Sequence, residues 1–332
     1  MDRLRVGVIG VGRMAEICHL PILAELPQVE LVAFCDTDAE ALSARGAEYD
    51  VAARYADHHE MFDAEVFDAV CIFIPPYAHT DAEIMAAGRG IHVFVEKPPT
   101  LSMDQAREID EAITRSGVIS QVGFNSRHRR SCEAARERLE GRDVVQAVVH
   151  RLHGSGALAW WWKLAQYSGG PFVENTIHQV DLLRWIAGDL TAVSARMVER
   201  PEPTDQLDIP LSVCATYTLA SGGLASVTTC AALEGRGHSA FLIVADGSLY
   251  DLSGGCLAVD GERVAEDEPG RVSYRRQFAS FFDAIIKDDP SLTRSPYGDG
   301  IGSLAAVLAA VHSARNGGAW VDLLADPAWA VH

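Results

Sequence analysis

Over the first 125 residues, continuous apolar runs alternate with segments of helical periodicity. LRVGVIG (4–10) reads as a strand, and MAEICHLPILAEL (14–26) as a helix interrupted near Pro21. VELVAFCD (29–36), FDAVCIFIPP (67–76), IHVFVEKPP (91–99) and VISQVGF (118–124) read as further strands. Between them, AEALSARGAEY (39–49), AHTDAEIMAAG (78–88) and SMDQAREIDEAITRSG (102–117) read as helices. The last has Ser102 as a candidate cap and Gly117 just past its end. Apolar strands alternating with helices predict a parallel sheet covered on both faces.

The rhythm changes near residue 125. Residues 144–153 read as a strand, and 190–264 as strands separated by turn signals at Ser221-Gly222-Gly223, Asp246-Gly247 and Asp260-Gly261. VCATYTLASGGLASVTTC (213–230) has hairpin character, which predicts an antiparallel sheet in this half. Helical patterns return at 273–287 and 301–316, and ERPEPTDQLDIP (199–210) reads as a loop. The expected fold is α/β in two domains, 1–124 and 125–332, with the C-terminal helix a candidate to pack back on the first.

Composition removes several function classes. The chain of 332 residues carries a net charge of −18, so phosphate backbones and anionic lipid surfaces are poor partners. No apolar run reaches the roughly 18 residues of a membrane span. The N-terminus runs directly into a strand without a signal-peptide pattern, which makes the cytoplasm the expected compartment. The seven cysteines include no C-x-x-C and no zinc spacing, and they read as buried free thiols, with Cys35 and Cys71 inside apolar strands. The basic stretch RHRRSCEAARER (127–138) reads as a solvated helix face, with an anionic ligand as the alternative.

Candidate chemistry begins at VGVIGVGRMAE, which contains G-x-G-x-x-A at Gly10, Gly12 and Ala15 between a strand and a helix. In that setting Gly10 permits the tight turn, Gly12 lets a pyrophosphate approach the backbone, and Ala15 allows close helix–sheet packing. Arg13 and Met14 open the helix and belong to the same candidate cofactor set. Asp36 ends the second strand; a carboxylate there accepts hydrogen bonds from a ribose diol and repels a 2′-phosphate, so NAD is expected over NADP. Pro75 and His79 follow the next long strand and complete the set with Glu96, Lys97 and Asn125, although His79 also reads simply as a residue at a helix start.

Ligands of open α/β sheets bind outside the carboxyl ends of the strands, and Glu96 and Lys97 stand at such an end. A partly desolvated Lys exchanges a proton near neutrality, whereas a solvated Lys in a proline turn does nothing. The second candidate is SGGPFVENTIHQVDLLRWIAGD (168–189). Read as one helix starting at Pro171, it places Glu174, His178, Asp181 and Trp185 on one stripe. His178 suits removal of a hydroxyl proton, with Asp181 or Glu174 orienting it. A His–Asp hydrogen bond within the helix, or a metal site on Glu174 and His178 lacking a visible third ligand, are the competing readings. Trp160, Trp161, Trp162 and Tyr167 offer flat faces for a sugar ring, with Trp162 the candidate substrate contact, or for core and interface packing.

Taken together, GVIGVGRMA, FDAVCIFIPPYAH, VFVEKPPTLS, QVGFN, SGGPFVENTIHQVDLLRW and SPYGDGIGSLAAVLAAVHSAR resemble the Gfo/Idh/MocA oxidoreductases along essentially the whole chain. The resemblance implies an N-terminal Rossmann domain and a C-terminal α/β domain with a large, mostly antiparallel open sheet. It also implies homo-oligomerisation, as a dimer or tetramer, through the open face of that sheet, and a cis peptide before Pro98. It assigns Lys97 to the reacting hydroxyl and its proton, His178 to acid/base work, and Asn125 to the meeting point of nicotinamide and substrate, with Arg127 in the same region. The family often has Asp and Gly where this chain has Glu174 and Thr176. The implied activity is hydride transfer between NAD(P) and a secondary alcohol of a sugar, cyclitol or sugar derivative, with no metal. Redox-neutral sugar chemistry on a transiently reduced cofactor, or a cofactor-sensing regulator, are the rival functions. The stretches expected to set specificity are about 150–170 and 234–240.

Overall fold

The computed structural model describes residues 3–154 and 159–325; part of the 150–170 specificity stretch therefore lies outside the described residues. Its strands are β1 (Leu4–Ile9), β2 (Val29–Cys35), β3 (Ala53–Tyr55), β4 (Ala69–Ile72), β5 (His92–Val95), β6 (Ser120–Val122), β7 (Val144–Leu152), β8 (Leu190–Val198), β9 (Ser212–Leu219), β10 (Leu224–Cys230), β11 (His238–Ala245), β12 (Ser248–Asp251), β13 (Cys256–Val259), β14 (Glu262–Glu266) and β15 (Val321–Asp322). The helices are α1 (Leu20–Glu25), α2 (Ala39–Glu48), α3 (His58–Ala64), α4 (Ala82–Gly88), α5 (Met103–Ser116), α6 (Arg130–Leu139), α7 (Ala165–Ser168), α8 (Pro171–Glu174), α9 (Ile177–Ala187), α10 (Val272–Lys287) and α11 (Tyr297–Arg315). A π-helical turn, Ala15–His19, leads directly into α1. Among the described residues, no helix is long and apolar enough to cross a membrane.

The chain forms two compact units. The first comprises residues 1–99, 105–125 and 270–300; the second comprises 100–104, 126–269 and 301–332. In the first unit the strands follow the order β3-β2-β1-β4-β5-β6. Every pairing is parallel, so all strand carboxyl ends lie on one edge. This is the doubly wound order whose direction reverses between β1 and β4, where the connections diverge and leave a crevice. Strands β4 and β6, and most of β1 and β5, are buried on both faces, which is why they read as unbroken apolar runs, whereas Arg54 of the edge strand β3 is exposed. Phe278, Phe281 and Phe282 of α10 join the same core as Phe34, Phe73 and Phe94, each buried ring contributing about 1.5–3 kcal/mol.

The second unit is built on a nine-stranded sheet, β14-β13-β12-β11-β7-β10-β9-β8-β15. All its pairings are antiparallel except β7 with β10, which run parallel. Ala147, Val149, Val213, Ala215, Tyr217, Ala225 and Val227 are buried, and α6, α8, α9 and α11 contact the sheet. The alternate positions Val148, Thr216, Leu224, Val244 and Leu249 are exposed on the other face. The expected turns recur as left-handed backbone at Gly222, Asp246-Gly247 and Asp260-Gly261, the chemistry that matches strand twist in short hairpins. All seven cysteines are free, and four of them, Cys18, Cys35, Cys71 and Cys132, are buried. Burial, helped by the Asp36 charge, pushes the Cys35 thiol up to about 12.

The basic stretch is corrected in part. Arg130–Leu139 is a helix with Arg136 and Arg138 exposed, but Arg127 and His128 precede it in a buried 3-10 turn. A long-range carboxylate partner for Arg127, described below, overrides the local pattern.

Candidate functional site

In the first unit, the loop after β1 answers the glycine motif residue by residue. Gly10 has φ +90°, and a Cβ there would meet the Phe73 carbonyl oxygen at 2.7 Å, so both backbone and packing demand glycine. Gly12 differs: its φ is ordinary and a Cβ would touch nothing within 4 Å. Neither its backbone nor its packing demands a glycine there. Arg13 and Met14 are exposed where the helix begins, and Ala15 is buried against the sheet.

Asp36, at the end of β2, is tied to this loop. Its Oδ2 accepts from the Val11 amide at 2.7 Å and its Oδ1 from the Asp38 amide at 2.9 Å. A carboxylate has about four acceptor directions, so capacity remains for a ribose diol. After β4, Pro75 leads into the 3-10 turn Pro76–Ala78. His79 follows, buried, with Nδ1 on the Glu83 carboxylate and its carbonyl accepting from Gln105 Nε2 at 2.8 Å. Its ring is thus part of a buried pair linking the turn to α4.

The tip of β5 carries Glu96 and Lys97, both half-buried, and the Lys97–Pro98 peptide is cis. Glu96 Oε2 accepts from the Lys97 amide at 2.9 Å, while Oε1 lies 3.0 Å from His19 Nε2. A Cβ on Gly123 would come within 3.0 Å of that carboxylate, so Gly123 leaves the room Glu96 occupies. His19, fully buried, rests on Phe73 with ring centroids 4.3 Å apart. Sequence reasoning missed His19; a polar residue on the core-facing side of the first helix was its only signal. Asn125 is buried and donates from Nδ2 to Ser273 Oγ at 3.2 Å.

In the second unit, the expected single helix over 171–187 is two. Gly169 and Gly170 take positive φ, α8 ends at Glu174, and α9 starts at Ile177. The Pro171 carbonyl accepts from the Thr176 amide at 3.0 Å and from Thr176 Oγ1 at 3.2 Å. These bonds depart from the i→i−4 pattern and separate α8 from α9. The extra hydroxyl of Thr176 serves this break.

Glu174 is buried and accepts from Trp162 Nε1. Trp162 packs with Ile209 and Ala231, Trp161 lies against that cluster, and Trp160 is exposed. His153 stands edge-on to Trp162 at 5.8 Å. Burial holds the His153 imidazole below its ordinary range, against the opposing pull of its bond to the Gly154 carbonyl and the Glu174 charge. His153 was also invisible to sequence reasoning, since it sits at the end of a strand 21 residues before Glu174. His178 is half-buried in the first turn of α9.

Asp181 is fully buried with a bidentate partner. Arg127 Nε donates to Oδ2 at 2.9 Å and Nη2 to Oδ1 at 2.6 Å, while Ser303 Oγ donates to Oδ1 at 2.9 Å. Two charges removed from water survive only with such geometry, which makes this pair a support for the base of α9.

Known proteins show the same organisation. A family model described as oxidoreductase family, NAD-binding Rossmann fold matches residues 4–124, and the GFO/IDH/MocA C-terminal domain matches 142–250. Scyllo-inositol 2-dehydrogenase (NAD(+)) of Bacillus subtilis is 27% identical over 253 residues, covering 75% of this chain and 73% of that protein. Myo-inositol 2-dehydrogenase of Thermotoga maritima is 30% identical over 186 residues, 56% of this chain and 55% of that protein. The crystal structure of the WlbA dehydrogenase from Bordetella pertussis, in complex with NADH and UDP-GlcNAcA, superposes with TM-score 0.85 at 22% identity, covering 98% of this chain and 100% of that one.

Proposed function

The chain belongs to the Gfo/Idh/MocA oxidoreductases, and we propose that it is an NAD-dependent dehydrogenase of a secondary alcohol on a sugar, cyclitol or sugar derivative. One observation carries the reading: the open approach at Gly12 and the half-buried Lys97 stand on the same edge of a parallel sheet, at the ends of β1 and β5. A cofactor cradle and an amine placed to bind a hydroxyl on that edge are what hydride transfer from an alcohol requires. The relatives named for inositol dehydrogenation support the substrate class.

The residues present fit the cofactor. Gly12 leaves room for a pyrophosphate, Arg13 and Met14 flank it at the helix start, and the spare acceptor directions of Asp36 suit a ribose diol and disfavour a 2′-phosphate. Pro75, His79, Glu96 and Asn125 complete the cofactor set. The bound nicotinamide would supply the hydride acceptor or donor. Lys97 binds the reacting hydroxyl and lowers its proton affinity by charge; His178 holds or releases the proton as general base or acid. Glu174, Asn125 and Trp162 orient the substrate; Arg127, expected beside them, is paired with the buried Asp181 instead. The exposed face of the nine-stranded sheet, with Val148, Leu224 and Val244, is assigned to self-association as a dimer or tetramer, in a cytoplasm that keeps the free thiols reduced.

A screen of NAD reduction over sugars and cyclitols identifies the substrate; absence of net NADH on the whole panel would overturn the dehydrogenase reading. Lys97→Ala is expected to lower kcat by about 100-fold or more with NAD affinity unchanged. Unchanged turnover would remove Lys97 from the chemistry, and a tenfold preference for NADP would overturn the role of Asp36.

A further inference from the structure

His58 and His59, consecutive residues opening α3, direct both imidazoles at the same carboxylate. His58 Nε2 lies 2.8 Å from Asp81 Oδ1, and His59 Nε2 lies 2.9 Å from Asp81 Oδ2. The two rings are 4.3 Å apart. Their other edges face Asp57, whose Oδ1 is 3.4 Å from His59 Nδ1 and 3.9 Å from His58 Nδ1. Each imidazole is therefore bracketed by two carboxylates.

Proton counting shows the difficulty. A neutral imidazole carries one N–H, so each ring that donates to one carboxylate turns a lone pair on the other. Asp81 adds a second observation. It occupies the N-cap of α4 yet makes no side-chain capping bond, although Asp is among the preferred caps there. Its carboxylate is turned to the histidines instead, whereas Asp57 caps α3 through the His59 amide at 2.8 Å.

From this geometry we propose that His58 Nε2, His59 Nε2 and Asp81 form a binding site for a zinc-class divalent cation, with Asp57 as the outer carboxylate that fixes both rings as Nδ1–H tautomers. The cation takes both Nε2 lone pairs and one carboxylate oxygen, and each Nδ1–H then faces Asp57. The ligand atoms lie within 4.8 Å of one another; tetrahedral bonds of about 2.0–2.1 Å set them about 3.3–3.5 Å apart, a small side-chain rotation away. Two nitrogens and one oxygen favour zinc, cobalt or nickel over magnesium or calcium. The pairing of metal-bound histidines with an outer carboxylate is the usual way such rings are oriented. His59 and Asp81 are about half exposed, so the ion has an entry path and water completes the shell. The site would join α3 to α4 within the first unit.

The test is calorimetric titration of the chelator-stripped full chain with zinc chloride, alongside cobalt titration read by visible absorption. One zinc per chain is expected, with tetrahedral cobalt bands and a raised Tm. His59→Gln and Asp81→Asn should each weaken binding by more than about tenfold. Asp57→Asn, which still caps α3, should weaken it by about tenfold through the outer shell alone. His150→Ala, in the separate His150–His238 pair, should leave it unchanged. Failure to bind zinc stoichiometrically, or equal binding by His59→Gln and wild type with native circular dichroism, would overturn the site.

Discussion

At the residue scale, two glycines of one motif have opposite reasons to exist. Gly10 is required by its own fold, with left-handed backbone and the Phe73 carbonyl where a side chain would go; Gly12 meets nothing. Gly10→Ala should therefore destabilise the chain by more than about 1–2 kcal/mol, the strain of the backbone alone. Gly12→Ala should leave its denaturation midpoint unchanged and weaken NAD binding. Equal loss of stability in both would show that Gly12 is structural. A second residue-scale expectation concerns His92, whose Nδ1 accepts from the Ile119 amide at 2.9 Å. Burial holds its pKa below the ordinary value, against the charges of Asp68 and Asp288. The unfolded chain therefore binds the proton more readily. The contribution of His92 is present above about pH 6.5 and lost as pH falls through the lower folded value. Urea titrations at pH 7.5 and 5.5 should show that loss, and His92→Asn should reduce it.

At the scale of elements, periodicity and turn chemistry were readable because both are local. The parallel strands read as unbroken apolar runs, and the hairpin turns announced themselves as Asp-Gly pairs. Spacing from Pro171 to Trp185 is compatible with one helix, and only the Pro171 carbonyl, shared by the Thr176 amide and hydroxyl, ends the first. Thr176→Val should cost about 0.5–1.5 kcal/mol, measured by urea denaturation. No loss would mean the hydroxyl is incidental to the break.

Across the whole molecule, the grouping of residues 270–300 with the first unit has the largest consequence for stability. Phe278 lies tilted against Phe94 at 4.7 Å and meets Phe73 edge-on at 6.1 Å, although some 200 residues separate them in the chain. Phe278→Ala should destabilise by about 3–5 kcal/mol, seen as a lowered urea midpoint, and a loss below about 1 kcal/mol would show that α10 is dispensable to that core.

By itself, the sequence determined most of the strand and helix series, the covered parallel sheet, the antiparallel character of the second sheet and the glycine turn, because each depends on neighbours within a few residues. Lys97 was legible as a strand-end residue for the same reason. The short strand β3 and helix α3, which carry no such local pattern, were not legible in the sequence. Tertiary structure alone decided which polar groups meet. It tied Asp36 to the Val11 amide, set Glu96 between His19 and the Lys97 amide, buried Arg127 on Asp181, and brought His58 and His59 to Asp81. Charges and hydrogen-bond donors carry no periodicity that marks a distant partner, so these pairings exist only once the backbone has closed the distance between them.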